Sequence, residues 1–528
     1  MSSSVRAAPE STFRSTLLAK SRSHDPRGLR WIFVPYDQLN HCLGPLASTP
    51  PNEAGIVLIE SRAKANRRPY HKQKLALVLA NQRQFALEQA ERGVAVRYVM
   101  SEHDYATVLR ELSRELGRLT MMRAAERELR AELRPCIADG IVEEVPHTGW
   151  LTDRDTFRRS QRSAPWRMQR FYETVRRDSG ILMESNGKPL GGRFSFDTEN
   201  RQRWRGEPRP PQPLRFVPDP ITTEVGELVM RDFASHPGQL DLTKLPTTAA
   251  DAERVWNHAL TECLPWFGPF EDAMSAGEST LFHTRNSPLL NLHRLLPRDV
   301  VDDALAANLP LASKEGFVRQ VLGWREFMRH VHEETDGFRT LPKGSRLHED
   351  GEPLPAAFWG RPSGLACLDH VVDQVWREGY SHHITRLMIL GNLATLLEVS
   401  PRELSDWFWV AYTDAFDWVV EPNVLGMASF GLPGLFTTKP YVSGAAYIDR
   451  MSDFCGRCRF DPKRDCPITP MYWAWLARHR EELADNPRMA LPLRSLAKRT
   501  DAQRAADQRV WRETLARMAD DAPAVGPD

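Results

Sequence analysis

The sequence predicts an α/β N-terminal domain with a parallel, Rossmann-like sheet, followed by a long linker and an all-α C-terminal domain. Three observations lead to this class. Short apolar runs alternate with a helical segment up to residue 150, prolines interrupt the chain between residues 208 and 220, and helical spacing alone continues beyond residue 236. The length of 528 residues also suits more than one domain.

The N-terminal α/β domain is predicted at residues 29–150. It contains three apolar runs of strand length, at residues 31–34, 55–59 and 93–99. The apolar positions of residues 72–92 fit a helix, and strands that alternate with helices form parallel sheets. Residues 1–28 are rich in serine, proline and charge without periodicity, so we expect a disordered tail there.

The linker is predicted at residues 151–235. Prolines exclude regular structure from its second half, at Pro208, Pro210, Pro211, Pro213, Pro218 and Pro220. Its first half is basic, because residues 157–177 contain seven arginines and one glutamate, and Trp166, Phe171 and Tyr172 lie among them. Two interpretations remain: a solvated helix face, or a surface that contacts nucleic-acid phosphates.

The all-α domain is predicted at residues 236–528. Apolar residues recur at helical spacing in four segments, at residues 315–331, 365–378, 384–397 and 401–418. Neither internal repeats nor coiled-coil heptads are found. The pattern therefore favours a globular helical domain.

Composition limits the class of protein. With 70 basic and 69 acidic residues, the net charge of +1 excludes a strongly basic nucleic-acid coat, although it allows a local basic patch. No apolar run reaches the roughly 18 residues that span a bilayer, so we expect no membrane segment. Seven cysteines in so long a chain, and an N-terminus without an apolar signal region, predict a cytoplasmic protein.

The sharpest local motif is a group of three cysteines. Cys455 and Cys458 are separated by two residues, and Cys466 follows after seven more, directly before Pro467. A Cys-Pro ending occurs in iron–sulfur ligation, but a four-cysteine zinc site uses the same ligands, so both remain open. The spacing does not distinguish the candidates for a fourth ligand, which are Cys367, Cys263, Cys136 and Cys42.

A second group of residues is rich in histidine and aromatic side chains. His383 and Arg386 are three residues apart at the start of a helix, so they share one face. Histidine is the best general acid near neutral pH, although a structural role is more common. Six aromatic residues crowd residues 407–418, where they form either a core or a path for single electrons.

Longer motifs follow one another along the chain. They are YDQL at residues 36–39, HKQK at 71–74, GGRFSFDTENR at 191–201, GFVRQ at 316–320, GWRE at 323–326, HHITRLM at 382–388, PNVLGM at 422–427, TKPY at 438–441 and DRMSDFC at 449–455. In this order they resemble the iron–sulfur bacterial branch of the cryptochrome/photolyase family, whose best-known members are bacterial (6-4) photolyases. The resemblance covers nearly everything from residue 29 onward.

The resemblance implies FAD in the helical domain. Asp414 and Arg386 match residues beside the flavin. Further flavin or phosphate contacts are implied for Asn423, Gln320, Arg325, Trp324 and His283. Trp359 matches the tryptophan that first re-reduces photo-oxidised flavin, and Trp407 is a further candidate for electron transfer.

The resemblance also resolves the metal centre. It implies a 4Fe–4S cluster, with Cys367 as the fourth ligand beside Cys455, Cys458 and Cys466. The family carries an antenna chromophore in its α/β domain, and 6,7-dimethyl-8-ribityllumazine is the candidate here. Its candidate contacts are Asp37, Gln38, Glu60 and His71, while Tyr36 stands where relatives often carry glycine.

The implied function is light-dependent repair of (6-4) pyrimidine–pyrimidone photoproducts in UV-damaged DNA. An electron from excited, reduced FAD would pass to a lesion flipped out of the duplex, because a stacked base is out of reach. The resemblance implies His383 as the acid that supplies a proton, with Tyr441 and His382 as further active-site residues. We expect a monomer without an obligatory protein partner.

Two alternatives to repair remain. A cryptochrome has the same fold but acts as a blue-light photoreceptor that signals. A nucleic-acid-binding protein with a structural metal, such as a primase-like iron–sulfur module, would explain the cysteines. It would leave the α/β domain and the helix with His383 and Arg386 unexplained.

Overall fold

The computed structural model describes residues 11–21 and 25–519, and the chain forms two compact units. The first, the α/β unit, comprises the residues up to 149 together with 214–254 and 289–296. The second, the helical unit, comprises residues 150–213, 255–288 and those from 297 onward. The predicted linker is divided between the two units, and the division falls among its prolines. Its second half contains the helix Pro220–Asp232, so the expectation that prolines exclude regular structure there is wrong, because proline is tolerated in the first turn of a helix.

The α/β unit is built on a five-stranded parallel sheet with the strand order β3-β2-β1-β4-β5. The strands are β1 Arg30–Phe33, β2 Ala54–Ser61, β3 Ala95–Ser101, β4 Leu119–Met122 and β5 Val142–Val145. The predicted parallel α/β sheet is confirmed, and the three predicted runs are β1, β2 and β3. β4 and β5 were missed because each has only four residues and β5 carries Glu143 and Glu144 at its centre.

Helices form most of the remaining regular structure. In chain order they are α1 Thr12–Lys20, α2 Gly44–Ser48, α3 Arg62–Ala65, α4 Lys72–Glu91, α5 Tyr105–Leu116, α6 Arg127–Ala138, α7 Arg154–Gln161, α8 Met168–Ser179, α9 Pro220–Asp232, α10 Ala249–His258, α11 Leu264–Phe270, α12 Ser287–Asn291, α13 Pro297–Ala306, α14 Leu311–Val318, α15 Glu326–Glu334, α16 Ala366–Glu378, α17 His383–Thr385, α18 Asn392–Leu396, α19 Pro401–Ala411, α20 Asp417–Asn423, α21 Ala445–Met451, α22 Ile468–Arg478, α23 Ala490–Ala497 and α24 Asp501–Met518. Within the described residues, no helix is long and apolar enough to cross a membrane.

Shorter turns of other geometry connect these helices. π-helical turns lie at Ala259–Cys263, Arg319–Arg325, Arg386–Gly391 and Val424–Ala428. Turns of 3₁₀ helix lie at Pro26–Gly28, Leu190–Gly192, Asp197–Glu199, Leu242–Lys244, Ala356–Trp359, Phe454–Arg457 and Pro487–Met489.

Helix α1 corrects the expectation of a disordered tail. Ser11 caps its first turn by accepting a backbone hydrogen bond, and Phe13 and Leu17 are buried one turn apart. Two buried residues in a helix of nine residues form too weak a pattern to predict it from sequence. The other residues assigned to the tail include 1–10 and 22–24, which lie outside the described residues.

The helical unit contains all four segments that the sequence predicts as helical. The last of them differs from the prediction, because α19 ends at Ala411 and Tyr412 is extended before α20 begins at Asp417. Thr413 does not continue the helix. Its N–H and its hydroxyl donate instead to the carbonyl of Gly379, at 2.9 and 3.2 Å. The break turns the next residue, Asp414, toward the site described below.

The basic segment of the linker forms α7 and α8. Its aromatic residues Trp166, Phe171 and Tyr172 are buried, and buried Arg176 donates to three backbone carbonyls. Three further arginines form ion pairs with acidic residues, namely Arg158, Arg159 and Arg177. The aromatics belong to the core, so the phosphate-contact interpretation is wrong where it relied on them.

The packing of α1 on the sheet leads to a first prediction. The buried Phe13 ring lies 4.6 Å from the Tyr98 ring and 5.2 Å from the guanidinium carbon of Arg83. We expect Phe13→Ala to lower the free energy of unfolding of the α/β unit by about 3–5 kcal/mol, because it leaves a cavity. Leu18→Ala, at an exposed position of α1, should lower it by less than about 0.5 kcal/mol. Urea denaturation measures both, and equal effects would contradict the packing of α1.

Candidate cofactor and active site

The π-helical turns coincide with predicted site residues of the helical unit. Predicted cofactor contacts lie within or directly before these turns: Gln320, Trp324, Arg325, Arg386 and Asn423. Such turns are frequent at functional sites, because one extra residue re-aims the side chains without ending the helix.

A largely buried ion pair between Arg386 and Asp414 forms the centre of the candidate site, in which Asp414 is buried and the Arg386 side chain is 20% exposed. The two guanidinium nitrogens lie 2.9 and 3.0 Å from the two carboxylate oxygens. Ser287 donates its hydroxyl to Asp414 at 2.6 Å, and Arg386 Nε donates to the carbonyl of Ser381 at 2.7 Å. Burial alone would raise the pKa of Asp414, but Arg386 and the hydrogen bonds hold it below its usual value. Both partners are therefore charged at neutral pH.

Aromatic rings cover the same guanidinium. The Tyr412 ring centroid lies 4.0 Å from the guanidinium carbon of Arg386, and the Tyr380 centroid lies 5.5 Å from it. The hydroxyls of Tyr412 and Ser381 are 2.8 Å apart. Sequence reasoning missed Ser287 and Tyr412 as site residues. Tyr412 was hidden in an aromatic segment typical of a core, and no local signal marked Ser287.

Three predicted histidines lie in this part of the unit. The rings of His283 and His382 stack with their centroids 4.4 Å apart and an interplanar angle of 9°. Burial and nearby positive charge lower the pKa of His283 to about 3 and that of His382 well below its usual value. His383 is exposed, yet desolvation by the surrounding protein, with Arg386 and Arg319, lowers its pKa to about 4. All three rings are therefore neutral near pH 7.

A second polar cluster surrounds Glu271. The amides of Gln320 and Asn200 each donate to its carboxylate at 2.6 Å, and Arg319 lies 3.5 Å away. Burial raises the pKa of Glu271 to about 7. Arg319 also helps to lower the pKa of His383, so it links this cluster electrostatically with the histidines.

Tyr441 lies in the electrostatic neighbourhood of this cluster. Burial and the charge of Asp197 raise the pKa of its hydroxyl, whereas Arg488 opposes the rise. Asp197 lies 3.7 Å from Arg319. The Tyr441 hydroxyl is therefore neutral and available as a hydrogen-bond donor.

Other predicted contacts take part in packing. The guanidinium of Arg325 lies between the rings of Trp150 and Trp418, at 4.4 and 5.2 Å from their centroids. Trp324 packs against a phenylalanine of the following helix, and the Asn423 amide donates to a carbonyl of its own helix. These contacts supply a structural role for each of the three side chains.

Three tryptophans form a continuous row in the helical unit. Trp359 and Trp376 stack with their centroids 5.2 Å apart, and Trp376 meets Trp407 edge-on at 5.9 Å. Fully buried Trp407 lies 6.1 Å from Tyr412, whereas Trp359 is half-buried. The row thus runs from the ring that covers Arg386 to an outer indole, and Trp407 rather than Trp359 is its inner end. Sequence reasoning missed Trp376 because a tryptophan in an amphipathic helix is typical of a core.

The four predicted cysteine ligands line one cavity: Cys367, Cys455, Cys458 and Cys466. Burial, with Asp449 and the neighbouring thiols, raises the pKa of Cys455 to about 12, and burial raises that of Cys466 to about 11. The thiols would ionise only next to a positive centre. Within the described residues, no three side chains of the types His, Cys, Asp and Glu are grouped to hold a single metal ion.

The four predicted antenna residues are buried in the α/β unit and bonded within it. Glu60 forms an ion pair with buried Arg83, with nitrogen–oxygen distances of 2.6 and 3.0 Å. His71 caps α4 by accepting a backbone N–H at 3.0 Å, and Gln38 donates to a backbone carbonyl at 3.1 Å. The carbonyl of Asp37 lies 2.7 Å from a histidine ring nitrogen. Glu60 and His71 thus already support the unit itself.

The Arg386–Asp414 pair leads to a second prediction. Asp414→Asn keeps the shape but leaves a buried guanidinium without its counter-charge, so we expect the free energy of unfolding to fall by about 3–5 kcal/mol. Asp373→Asn is the matched control, because Asp373 forms an exposed ion pair with Arg377 at 2.7 Å. It should cost less than about 1 kcal/mol. Calorimetry of the two variants decides the matter, and comparable melting temperatures would refute the role of the buried pair.

Comparisons with known proteins place this chain in a family. The family model described as deoxyribodipyrimidine photo-lyase-related protein matches residues 32–245. The chain is 34% identical to a (6-4) photolyase of Agrobacterium fabrum over 491 residues, which cover 89% of this chain and 96% of that protein.

Two solved structures share the fold. A bacterial class III photolyase from Agrobacterium tumefaciens aligns with a TM-score of 0.54 at 14% identity, covering 94% of this chain and 98% of that one. A cryptochrome from Synechocystis aligns with a TM-score of 0.56 at 12% identity, covering 93% and 100%. The predicted family is confirmed by the identity to a full-length relative, and the chain belongs to the photolyase-related proteins of the photolyase/cryptochrome family.

Proposed function

We propose that this protein repairs (6-4) pyrimidine–pyrimidone photoproducts in UV-damaged DNA by a light-dependent reaction. One observation carries the proposal: solvent-accessible His383 lies beside the buried Arg386–Asp414 pair in a chain that is 34% identical to a (6-4) photolyase. The fold is shared with a cryptochrome as well, so repair is favoured by the sequence identity and by the site. We further propose a cytoplasmic monomer without an obligatory protein partner.

The residues around Arg386 fit FAD as the cofactor. Buried polar atoms there have no hydrogen-bond partner among the described residues, namely Nδ1 of His382, Nε2 of His283 and Nδ2 of Asn286. Unsatisfied buried polar atoms are costly, so a polar planar ligand at this place is favourable. When bound and reduced, FAD would supply a light-excited electron. Arg386 and Asp414 would hold its polar edge with a fixed pair of charges.

His383 is the proposed acid. Repair moves an oxygen from one base to the other, and that oxygen needs a proton when its bond to carbon breaks. Without DNA the pKa of His383 is about 4, because desolvation, Arg386 and Arg319 disfavour the charged ring. Lesion phosphates bring negative charge, which raises the pKa of a nearby imidazole. The ring would therefore take up its proton mainly when damaged DNA is bound.

Other side chains would hold the flipped lesion. A base must leave the stack before chemistry can reach it, and a damaged step is easier to unstack. The neutral hydroxyl of Tyr441 and the second amide hydrogen of Gln320 are donors for the polar edges of a pyrimidine. His382 would support the site from behind, because its ring stacks on that of His283.

The tryptophan row is the proposed electron path. Trp407, Trp376 and Trp359 lie 5.2 to 5.9 Å apart by their ring centroids, which suits stepwise electron transfer between indoles. The row begins at Tyr412 beside Arg386 and ends at half-buried Trp359, from which an external reductant can restore the lost electron.

The cysteine cavity fits a 4Fe–4S cluster. A zinc site needs four sulfurs around one ion, whereas a cluster separates its thiolates because each binds a different iron. Four cysteines around one cavity support the cluster, because they supply one thiolate for each iron. Bound iron would lower the pKa of these thiols and hold them as thiolates.

The antenna site stays a proposal with a reduced set of contacts. Asp37 and Gln38 lie directly beyond the carboxyl end of β1, where the strand order reverses between β1 and β4. Doubly wound sheets bind ligands at this position, so we propose 6,7-dimethyl-8-ribityllumazine there. Glu60 would have to leave Arg83, and His71 its capping bond, to contribute.

The proposed function predicts that the reduced, illuminated protein restores intact thymines in an oligonucleotide with one (6-4) lesion. His383→Asn should lower the repair rate by about 10²-fold or more, because no acid replaces the imidazole, while flavin content is kept. His348→Ala, at an exposed histidine, should repair normally.

In the lesion complex the wild-type rate should fall as pH rises through the raised pKa of His383, since only the protonated ring donates. A protein that binds flavin but leaves the lesion intact in light would contradict repair and favour a photoreceptor.

The cluster leads to a separate prediction. Cys458→Ser should strongly reduce the iron and sulfide content of the purified protein, because serine is a poor cluster ligand. Cys263→Ser, at a buried cysteine outside the cavity, should keep both. Metal analysis and the visible absorption spectrum measure the effect. Zinc in place of iron in the wild type, purified without exposure to oxygen, would refute the cluster.

A further inference from the structure

We propose that the surface around the cysteine cavity docks an acidic one-electron carrier protein. This surface, the basic rim, consists of Arg457, Arg459 and Arg517, which are all exposed. The inference rests on the cluster proposed above and concerns the way in which electrons reach it.

The basic rim lies at the accessible side of the cavity. Arg457 and Arg459 flank Cys458 in the chain, and Cys455 and Cys458 are half-buried, whereas Cys367 and Cys466 are buried. Phe460 completes this side of the cavity lining. An electron that arrives from solvent would therefore meet the cavity at the basic rim.

Two cations of the basic rim lie beside one aromatic ring, that of Phe460. The guanidinium carbons of Arg459 and Arg517 lie 4.6 and 5.8 Å from the centroid of the Phe460 ring. Burial and the charge of Arg459 lower the pKa of Arg517, and Glu513 offsets this only in part. Within residues 11–21 and 25–519, no carboxylate forms an ion pair with either arginine. Paired guanidiniums of this kind favour an incoming carboxylate.

The turn before Cys367 positions Arg459. A Cβ atom on Gly364 would lie 2.6 Å from a guanidinium nitrogen of Arg459, so the side chain packs directly on the Gly364 backbone. Gly364 has a φ of +79° in the turn that leads into Cys367. One end of the basic rim is thus fixed to the turn that also sets a proposed ligand.

An acidic carrier protein suits this surface by its chemistry. Its carboxylates would pair with Arg459 and Arg517, and its redox centre would come close to the half-buried cysteines. One electron would leave the carrier, which is oxidised, and enter the cysteine-held centre, which is reduced, and no bond would form or break. Electron-transfer complexes are small and steered by charge, so a few exposed arginines suffice. Duplex DNA would also pair with arginines, but its binding would not explain half-buried cysteines beside them.

The experiment uses the full-length, iron-containing protein and a plant-type [2Fe–2S] ferredoxin as the acidic carrier. We expect the double variant Arg459→Glu/Arg517→Glu to bind ferredoxin at least about tenfold more weakly at low ionic strength. The variant should also accept electrons from reduced ferredoxin correspondingly more slowly, followed by the ferredoxin absorbance. Arg512→Glu is the matched control, because it lies on α24 about 140° around the axis from Arg517 and should bind normally.

A second variant guards against misfolding of the first. Arg459→Gln/Arg517→Gln removes both charges without adding carboxylates and should weaken ferredoxin binding in the same direction. All variants should keep their iron, and after chemical reduction they should repair (6-4) lesions at the wild-type rate, which separates this inference from the proposed function.

Three results would overturn the inference while leaving the proposed cluster in place. The first is wild-type protein that contains iron but does not bind ferredoxin at low ionic strength. The second is binding by the double variant within about twofold of wild type. The third is a double variant that loses affinity for undamaged duplex DNA while ferredoxin binding is unchanged, which would make the basic rim a nucleic-acid contact. A protein that contains zinc would remove the cluster and the docking proposal together.

Discussion

Two charges that must remain buried together organise the helical unit. Arg386 and Asp414 stay ionised away from water only while each faces the other, because an unpaired buried charge costs several kcal/mol. This requirement explains features that are otherwise unrelated. The chain leaves α19 at Ala411 so that Asp414 can reach the pair, Arg386 opens a π-helical turn, and Tyr412 covers the guanidinium. The same two charges set the electrostatic field in which His383 acts.

The sequence predicts those elements whose signal is local and repeated. Three strands, the helix at residues 72–92 and the helical segments beyond residue 236 follow from apolar spacing, which the fold itself imposes. β4 and β5 are too short to show a period, and β5 carries charge at its centre. Helix α1 buries Phe13 and Leu17, and two buried residues are too few to show a period in the sequence.

The candidate site is less accessible from sequence, because its contacts join residues far apart in the chain. The two-residue spacing of Cys455 and Cys458 is visible locally, but which cysteine joins them depends on folding. The spacing gives no hint that Ser287 donates to Asp414 or that Trp376 joins two other tryptophans. The resemblance to a family identified Asp414 and His283 as candidate site residues. It also identified Glu60 as a candidate antenna contact, but in the fold Glu60 forms an ion pair with Arg83.

Helix α16 brings two of these features onto one rigid element. Cys367 lies in its first turn and Trp376 in its last, and their separation of nine positions amounts to about 13.5 Å along the axis and half a turn around it. The helix therefore separates the two features. The thiol cavity lies at its N-terminal end on one face, and the indole row lies at its C-terminal end on the opposite face. Separated in this way, the two features are energetically independent, so substitutions in one add to those in the other. Substitutions in the cysteine cavity of such a protein could therefore accumulate during evolution without compensating substitutions around its tryptophans.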